Sequence, residues 1–263
     1  GRTSLVKNYH SGPLSVQKPF YPERSEHPHV YVIHPPGGIV SGDRLDLSIL
    51  LQSDSQALIT TPGAGRFYRA RSKNSLQRQS VELILRKETK LEWFPLETIV
   101  FDGANAELET TISLQEGSIF IGWEICCLGM PASQQNFSDG SFLQRYIIKV
   151  DNVPTFVDVL DLRDGLREML TGKAGMQSRS VTGFLLMGPT IEDFEDELDL
   201  LRLHMAGNYP VASFSLSKVG EFLVGRYLGD SADAAKKMFT YCWKMMRPRI
   251  LDRQSCLPRI WFT

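Results

Sequence analysis

The segment His34-Pro35-Pro36-Gly37-Gly38-Ile39-Val40-Ser41-Gly42-Asp43 restricts the fold of this chain more than any other. Two prolines fix φ, and three glycines reach backbone conformations closed to other residues. The path there is tight and not helical. No Gly-Lys-Ser/Thr follows the glycines, so this is not a phosphate-binding P-loop, and their spacing is not that of a dinucleotide fingerprint. Two readings stay open on chemistry alone. The segment is a rigid turn between strands, or a turn that also positions His34 and Asp43.

The surroundings read as β. Ala57 to Thr60, Val81 to Leu85, Leu91 to Phe94, Ile112 to Leu114 and Ile119 to Ile125 are short runs rich in Val, Ile, Thr and aromatic residues, separated by Gly, Pro, Asn or Asp. Over Ala106 to Leu114 the apolar period is nearly two, the mark of a strand with one wet face. Tyr146 to Leu162 reads as a hairpin turning at Asp151-Asn152, residues that tolerate positive φ. Arg2 to Val6 also reads as a strand. Residues 163 to 183, with Gly165, Gly172, Gly175 and Gly183, read as an irregular, mobile loop.

Two later stretches change period. From Thr190 to Ala206, Ile191, Phe194, Leu198, Leu201 and Met205 share one helix face, with Thr190 as N-cap and Glu192, Asp193, Glu195 and Asp196 at the positive end of the dipole. From Ser231 to Arg247, Ala235, Met238, Phe239, Cys242, Trp243 and Met246 form a second stripe. It is capped by Asp230 or Ser231 and stopped by Pro248. Both stripes read as core packing. The chain, 1–263, is thus expected to be one mainly β domain, β-rich over 1–189 and with two α-helices over 190–263 in its C-terminal third.

Composition narrows the function classes. With 42% apolar and 22% charged residues, a packed core is expected; a net charge of −1 and a pI near 6.6 give no basic excess for nucleic acid. No apolar run is long enough to span a membrane, and no signal peptide is visible. Cys126, Cys127, Cys242 and Cys256 form no C-x-x-C pair and read as reduced thiols of a cytoplasmic protein.

The candidate chemistry lies in acids set among bulky apolar residues. Glu92, Glu97 and Asp102 fall within Leu91 to Gly103, and Glu124 within Ile121 to Cys126. Such acids are costly unless paired or hydrated. They line a polar interior path, act as an acid/base pair in a glycosidase, or face outward on ordinary strands. Arg66 and Arg69, in the small-residue turn Thr60 to Arg69, are a candidate anion or acidic-partner contact, or else part of a solvated basic loop. His27 and His29 share a face if extended, but two imidazoles make a weak metal site, and no closed metal centre is expected. Weak, transient ligation of a borderline metal by His and carboxylates is allowed. No Gly-x-Ser-x-Gly elbow is present, so no Ser-His-Asp site is argued.

Six motifs then agree with one family. GPLSVQKPFYPE (12–23), HPPGGIVSGD (34–43), TTPGAGRFYRA (60–70), LEWFPLETIVFDGANAEL (91–108), GWEICCLGMPA (122–132) and LPRIWFT (257–263) resemble, in order, the UreD/UreH urease accessory proteins. The likeness is weakest over 163–210, and Ser41 stands where many members have Gly. Members carry one more strand before Gly1, which implies a trimmed N-terminus. The resemblance implies an irregular right-handed β-helix-like architecture and a scaffold that is not an enzyme. It further implies binding to the urease structural subunits and to the accessory proteins UreF and UreG, with a dimer of such heteromeric complexes as one form of the assembly. Nickel is then transported cargo rather than a cofactor. Asp43, Glu97, Asp102 and Glu124 match acidic motifs of a proposed nickel passage, with His34 a further candidate. Trp261 and Phe262 are a candidate UreF contact, or else pack on the second helix. A β-helical carbohydrate-active hydrolase is the alternative, and a metallochaperone acting alone is a third reading.

Overall fold

A computed structural model describes residues 2–23, 27–72, 75–163, 166–190, 192–210 and 212–262. In chain order the first strands are β1 (Ser15–Val16), β2 (His29–Ile33), β3 (Arg44–Leu51), β4 (Gln56–Thr60) and β5 (Gly65–Phe67). Next come β6 (Gln77–Leu85), β7 (Lys90–Phe94), β8 (Thr98–Val100), β9 (Asn105–Leu114) and β10 (Ile119–Met130). They are followed by β11 (Gln135–Asn136), β12 (Ser141–Val150), β13 (Val153–Asp161) and the short helix α1 (Leu166–Thr171). The chain ends with β14 (Val181–Gly188), α2 (Glu195–Asn208), β15 (Ser213–Val219), β16 (Phe222–Gly229) and α3 (Ala232–Leu251). The chain is mainly β, as its patterning predicts, with three α-helices among the described residues rather than two.

Two sheets face each other. The smaller holds β3, β6, β9 and β12 in parallel, with β13 antiparallel on its edge. In the larger, β2, β4, β7 and β10 run parallel, and β14, β16 and β15 extend it antiparallel. The chain passes repeatedly from the small sheet to the large one: β3 to β4, β6 to β7, β9 to β10. Each passage is a four-residue turn: Gln52-Ser53-Asp54-Ser55, Arg86-Lys87-Glu88-Thr89 and Gln115-Glu116-Gly117-Ser118.

These turns share one geometry. The third residue has positive φ (62° at Asp54, 57° at Glu88, 69° at Gly117). The hydroxyl of the fourth donates to the carbonyl of the first, at 2.5, 2.8 and 2.5 Å. Left-handed backbone is costly for Asp and Glu, and the side-chain bond offsets that cost. The turns also stack, with Asp54 N donating to Lys87 O and Glu88 N to Glu116 O.

The parallel strands of the large sheet are buried on both faces, whereas β3 and β9 of the small sheet alternate between a buried face and a wetter one. Between the sheets lie Val81, Leu83, Leu85, Ile112, Leu114, Phe120 and Ile148. On the other face of the large sheet, Phe94, Ile121, Trp123 and Leu185 pack under α3 through Met238, Phe239 and Trp243. The order is therefore α2 and α3, large sheet, small sheet. The two predicted stripes are the buried faces of α2 (Leu198, Leu201, Met205) and α3 (Ala235 to Met246). The hairpin turns at Asp151 and Asn152, both with positive φ.

Several expectations need correction. Arg2 to Val6 is not a strand; Thr3 is tied down by Tyr21 and by the Gln56 amide, while Leu5 and Val6 stay exposed with no face to bury. Thr190 is not the N-cap of α2, because its amide still donates to Glu221 O in the turn between β15 and β16; the helix starts after the buried Phe194. Ile191 and Gly165 lie outside the described residues. Pro248 does not end α3, which runs to Leu251 and stops at the left-handed Asp252. Burial of Arg247, Ile250 and Leu251 holds that last turn despite the lost amide donor. Residues 163–183 include α1 and the start of β14 rather than loop alone. No described helix is long and apolar enough to cross a membrane.

Leu83 is fully buried between the sheets. Leu83→Ala should cost about 2–5 kcal/mol in urea unfolding, with the spectrum of the folded β chain retained.

Candidate functional site

The two small-residue segments meet. Ile39 N donates to Arg66 O at 2.7 Å and Tyr68 N to Ile39 O at 3.0 Å, laying the first segment beside β5. Gly37 and Gly42 have φ of +77° and +83°, and a Cβ at Gly38 would sit 2.3 Å from the Tyr68 ring. The glycines are therefore a backbone device. Together the segments border a cavity of about 220 Å³ that reaches between the sheets, lined by His34, Gly37, Thr61, Arg66 and Trp93 among others.

The five predicted residues do not converge on one site, although His34 lies within the field of Asp43. Asp43 is exposed, its carboxylate accepting from Val40 N at 3.0 Å. His34 is half-buried on the cavity; burial lowers its pKa, opposed by the field of Asp43. Glu97 is half-buried, within electrostatic reach of Cys127 and Lys236. Asp102 accepts from Ser138 N at 2.8 Å, Ser138 Oγ at 3.0 Å, Asp139 N at 2.9 Å and Arg69 Nη2 at 2.5 Å. Burial would raise this carboxyl, but the Ser138 and Asp139 bonds and Arg69 hold it below the ordinary range. Arg69 is thus tied to Asp102, and Arg66 lies beside Gly37.

Glu124 is the predicted acid that lies in the interior. On β10 its side chain enters the space between the sheets, where Thr110 Oγ1 donates to Oε1 and Gln144 Nε2 donates to Oε2 at 2.7 Å. The partners are neutral. Desolvation dominates and raises the carboxyl to about 7. Tyr146, whose hydroxyl has no partner among the described residues, and Cys126 sit within its field and are themselves pushed up by burial.

A second buried group lies on the opposite face of the large sheet. Glu92 sits in register with Leu58 on β4 and Ile121 on β10, an apolar row facing α3. Its Oε1 accepts from Trp243 Nε1 at 2.5 Å and Arg247 Nε at 2.9 Å; its Oε2 accepts from Arg247 Nη2 at 2.7 Å and lies 2.8 Å from His27 Nε2. Arg247 also reaches Glu23 with Nη1 and Nη2, both at 2.8 Å, and donates to Gln254 O. Glu23 in turn lies 2.9 Å from His29 Nε2. Arg247, Glu92, His27 and His29 are all essentially fully buried. Burial works to raise Glu92, but His27 and Arg247 outweigh it and bring its pKa to about 2. Burial likewise opposes ionised Glu23 and is outweighed by His29 and Arg247.

Sequence reasoning missed Glu23 and Arg247 in this group. A signal existed for Arg247: it stands four residues after Trp243, on the apolar stripe itself. Glu92 was flagged as anomalous, and His27 and His29 as sharing a face, but nothing in the sequence joined them.

Two predictions follow from these opposite environments. Arg247→Met leaves two buried carboxylates without their cation and should cost about 3–5 kcal/mol in urea unfolding at neutral pH. Because Glu92 is depressed, its contribution is present above about pH 4.5 and is lost as pH falls toward about 2. Glu124 has the opposite sign: its raised pKa favours folding below about pH 4.5, and this is lost as pH rises through about 7. Glu124→Gln should therefore unfold at higher urea than the parent at pH 8, by about 1–3 kcal/mol, with the difference shrinking toward pH 4.5.

Comparison with known proteins places these features in a wider set. The family model described as UreD urease accessory protein matches residues 1–262. A urease accessory protein UreD from Marinomonas sp. (strain MWYL1) is 40% identical over 268 residues, covering 99% of this chain and 85% of that protein. Its counterpart from Klebsiella aerogenes is 38% identical over 265 residues, covering 100% of this chain and 92% of that protein. That from Saccharophagus degradans is 38% identical over 264 residues, covering 100% and 88%.

Proposed function

This chain belongs to the UreD urease accessory protein family, with a general role in urease maturation, and on that premise we propose that it is a non-enzymatic cytoplasmic scaffold. In this reading it binds the urease apoprotein together with UreF and UreG and promotes delivery of nickel to the urease active site. The observation that carries the reading is the match along the whole chain to proteins named for this role. The alternation of parallel strands between two sheets, with stacked turns at each passage, supports the finer view of an irregular right-handed β-helix. A hydrolase would need two carboxylates facing one cleft; the interior Glu124 is bonded instead to Thr110 and Gln144.

Within this proposal the nickel route passes Glu124, which lies between the sheets, and His34, which lines the cavity that opens toward them. A carboxyl poised near neutral pH ligates a passing cation weakly and releases it, whereas strong ligation would trap it. Asp43 and Glu97, exposed and half-buried, suit the ends of such a route. Asp102, with four donors on its oxygens, suits a turn anchor better than a ligand. Phe262 is 73% exposed and available to a partner, whereas Trp261 packs against Phe94 and Trp123 with its Nε1 donating to Thr60 Oγ1 at 3.0 Å.

The test is co-expression of this chain with urease subunits, UreF and UreG. The parent chain and Glu124→Gln should both co-purify with all three, while nickel per urease active site falls several-fold with the variant. Failure of the parent chain to co-purify would overturn the scaffold reading; unchanged nickel content with Glu124→Gln would remove Glu124 from the route.

A further inference from the structure

Glu23, His29 and Cys256 bring one carboxylate oxygen, one imidazole nitrogen and one sulfur within 4.8 Å of one another. They come from three separate parts of the chain: the segment before β2, the first residue of β2, and the tail after α3. The mixture is specific. Hard cations prefer all-oxygen sets, whereas zinc and its neighbours take imidazole and thiolate together with a carboxylate. We infer that these three side chains form a site for one divalent transition-metal cation of borderline softness, with solvent completing the coordination.

The surroundings fit a metal site in three respects. Arg247 grips both oxygens of Glu23 at 2.8 Å, which orients the carboxylate; Oε1 also meets His29 Nε2 at 2.9 Å, a contact that the ion replaces, while Oε2 keeps a further lone pair. The His29 ring is 1% exposed and its Nδ1 has no partner among the described residues, so the imidazole is held but not saturated. Cys256 is only half-buried, which leaves an approach from solvent. Donors around a tetrahedral ion with bonds of about 2.0–2.3 Å stand about 3.5 Å apart, so the group must close slightly. The stretch between α3 and the terminal turn, which carries Cys256, has no regular secondary structure to resist that. Arg247, and Arg253 at 4.0 Å from Glu23, oppose a cation here. Buried Glu92 and the thiolate formed on binding offset them. The step balances as loss of one proton from the Cys256 thiol for each sulfur–metal bond formed.

Such a site would join the N-terminal segment to the C-terminal tail. It goes beyond passage of nickel cargo and needs no partner, so it stands or falls separately from the maturation reading. The test is titration of cobalt(II) into the purified, metal-free full chain. One equivalent should bind with a near-ultraviolet thiolate-to-cobalt band, release of a proton and a raised melting temperature, and zinc should displace it. Cys126, Cys127 and Cys242 are buried and lie outside the Glu23–His29 group, so they should not supply the band. Cys256→Ser should abolish the band and weaken binding at least about tenfold, with Cys256→Ala behaving alike. No saturable binding to the parent chain, or the same band and affinity in both folded variants, would overturn the site.

Discussion

Arg247 meets five acceptor contacts with its five N–H donors, and that one side chain ties together three distant parts of the chain. Its partners are Glu92 in the middle of the large sheet, Glu23 ahead of the first long strand, and the Gln254 carbonyl in the tail. A guanidinium fork is needed for this, because a lysine ammonium has three donors and no plane. Taking such charges out of water is expensive, and the cost is offset only when every lone pair and proton is matched. The matching gives Glu92, in an otherwise apolar row under the helix, a reason to be there.

The large sheet carries a second buried acid on its other face, and the contrast is instructive. Glu92 has a guanidinium, one imidazole and an indole N–H and is held near 2; Glu124 has a hydroxyl and an amide and rises to about 7. The same side chain, in the same sheet, is a fixed charge in one place and a titratable group near neutrality in the other. Divergent environments of this kind separate structural from chemical roles. The fixed charge ties elements together, and the titratable one faces the interior between the sheets.

Much of the β architecture was legible because alternation survives wherever a strand has one wet face. Ala106 to Leu114 shows it, and the Asp151-Asn152 turn fixes its hairpin by backbone tolerance alone. The two stripes on α2 and α3 were legible for the same reason. The stacked passage turns were not, because they are unevenly spaced and their common geometry rests on a left-handed residue that is Asp, Glu or Gly in turn. Helix limits failed where tertiary bonds overrode local signals, at Thr190 and Pro248. The charge cluster was only half visible: Glu92 is anomalous in its own strand, but its partners lie more than a hundred residues away on one side and before β2 on the other. Only the fold joins them.

That the buried pair acts as one unit is most directly tested by a double-mutant cycle on Glu92 and Arg247. Urea unfolding would be measured for Arg247→Met, Glu92→Leu and the two combined. Strong coupling predicts that the double variant is no less stable than Arg247→Met alone, because the second change removes the carboxylate that the first left unpaired. Simple addition of the two single losses would contradict the account, since it would mean that the two side chains stabilise the fold independently.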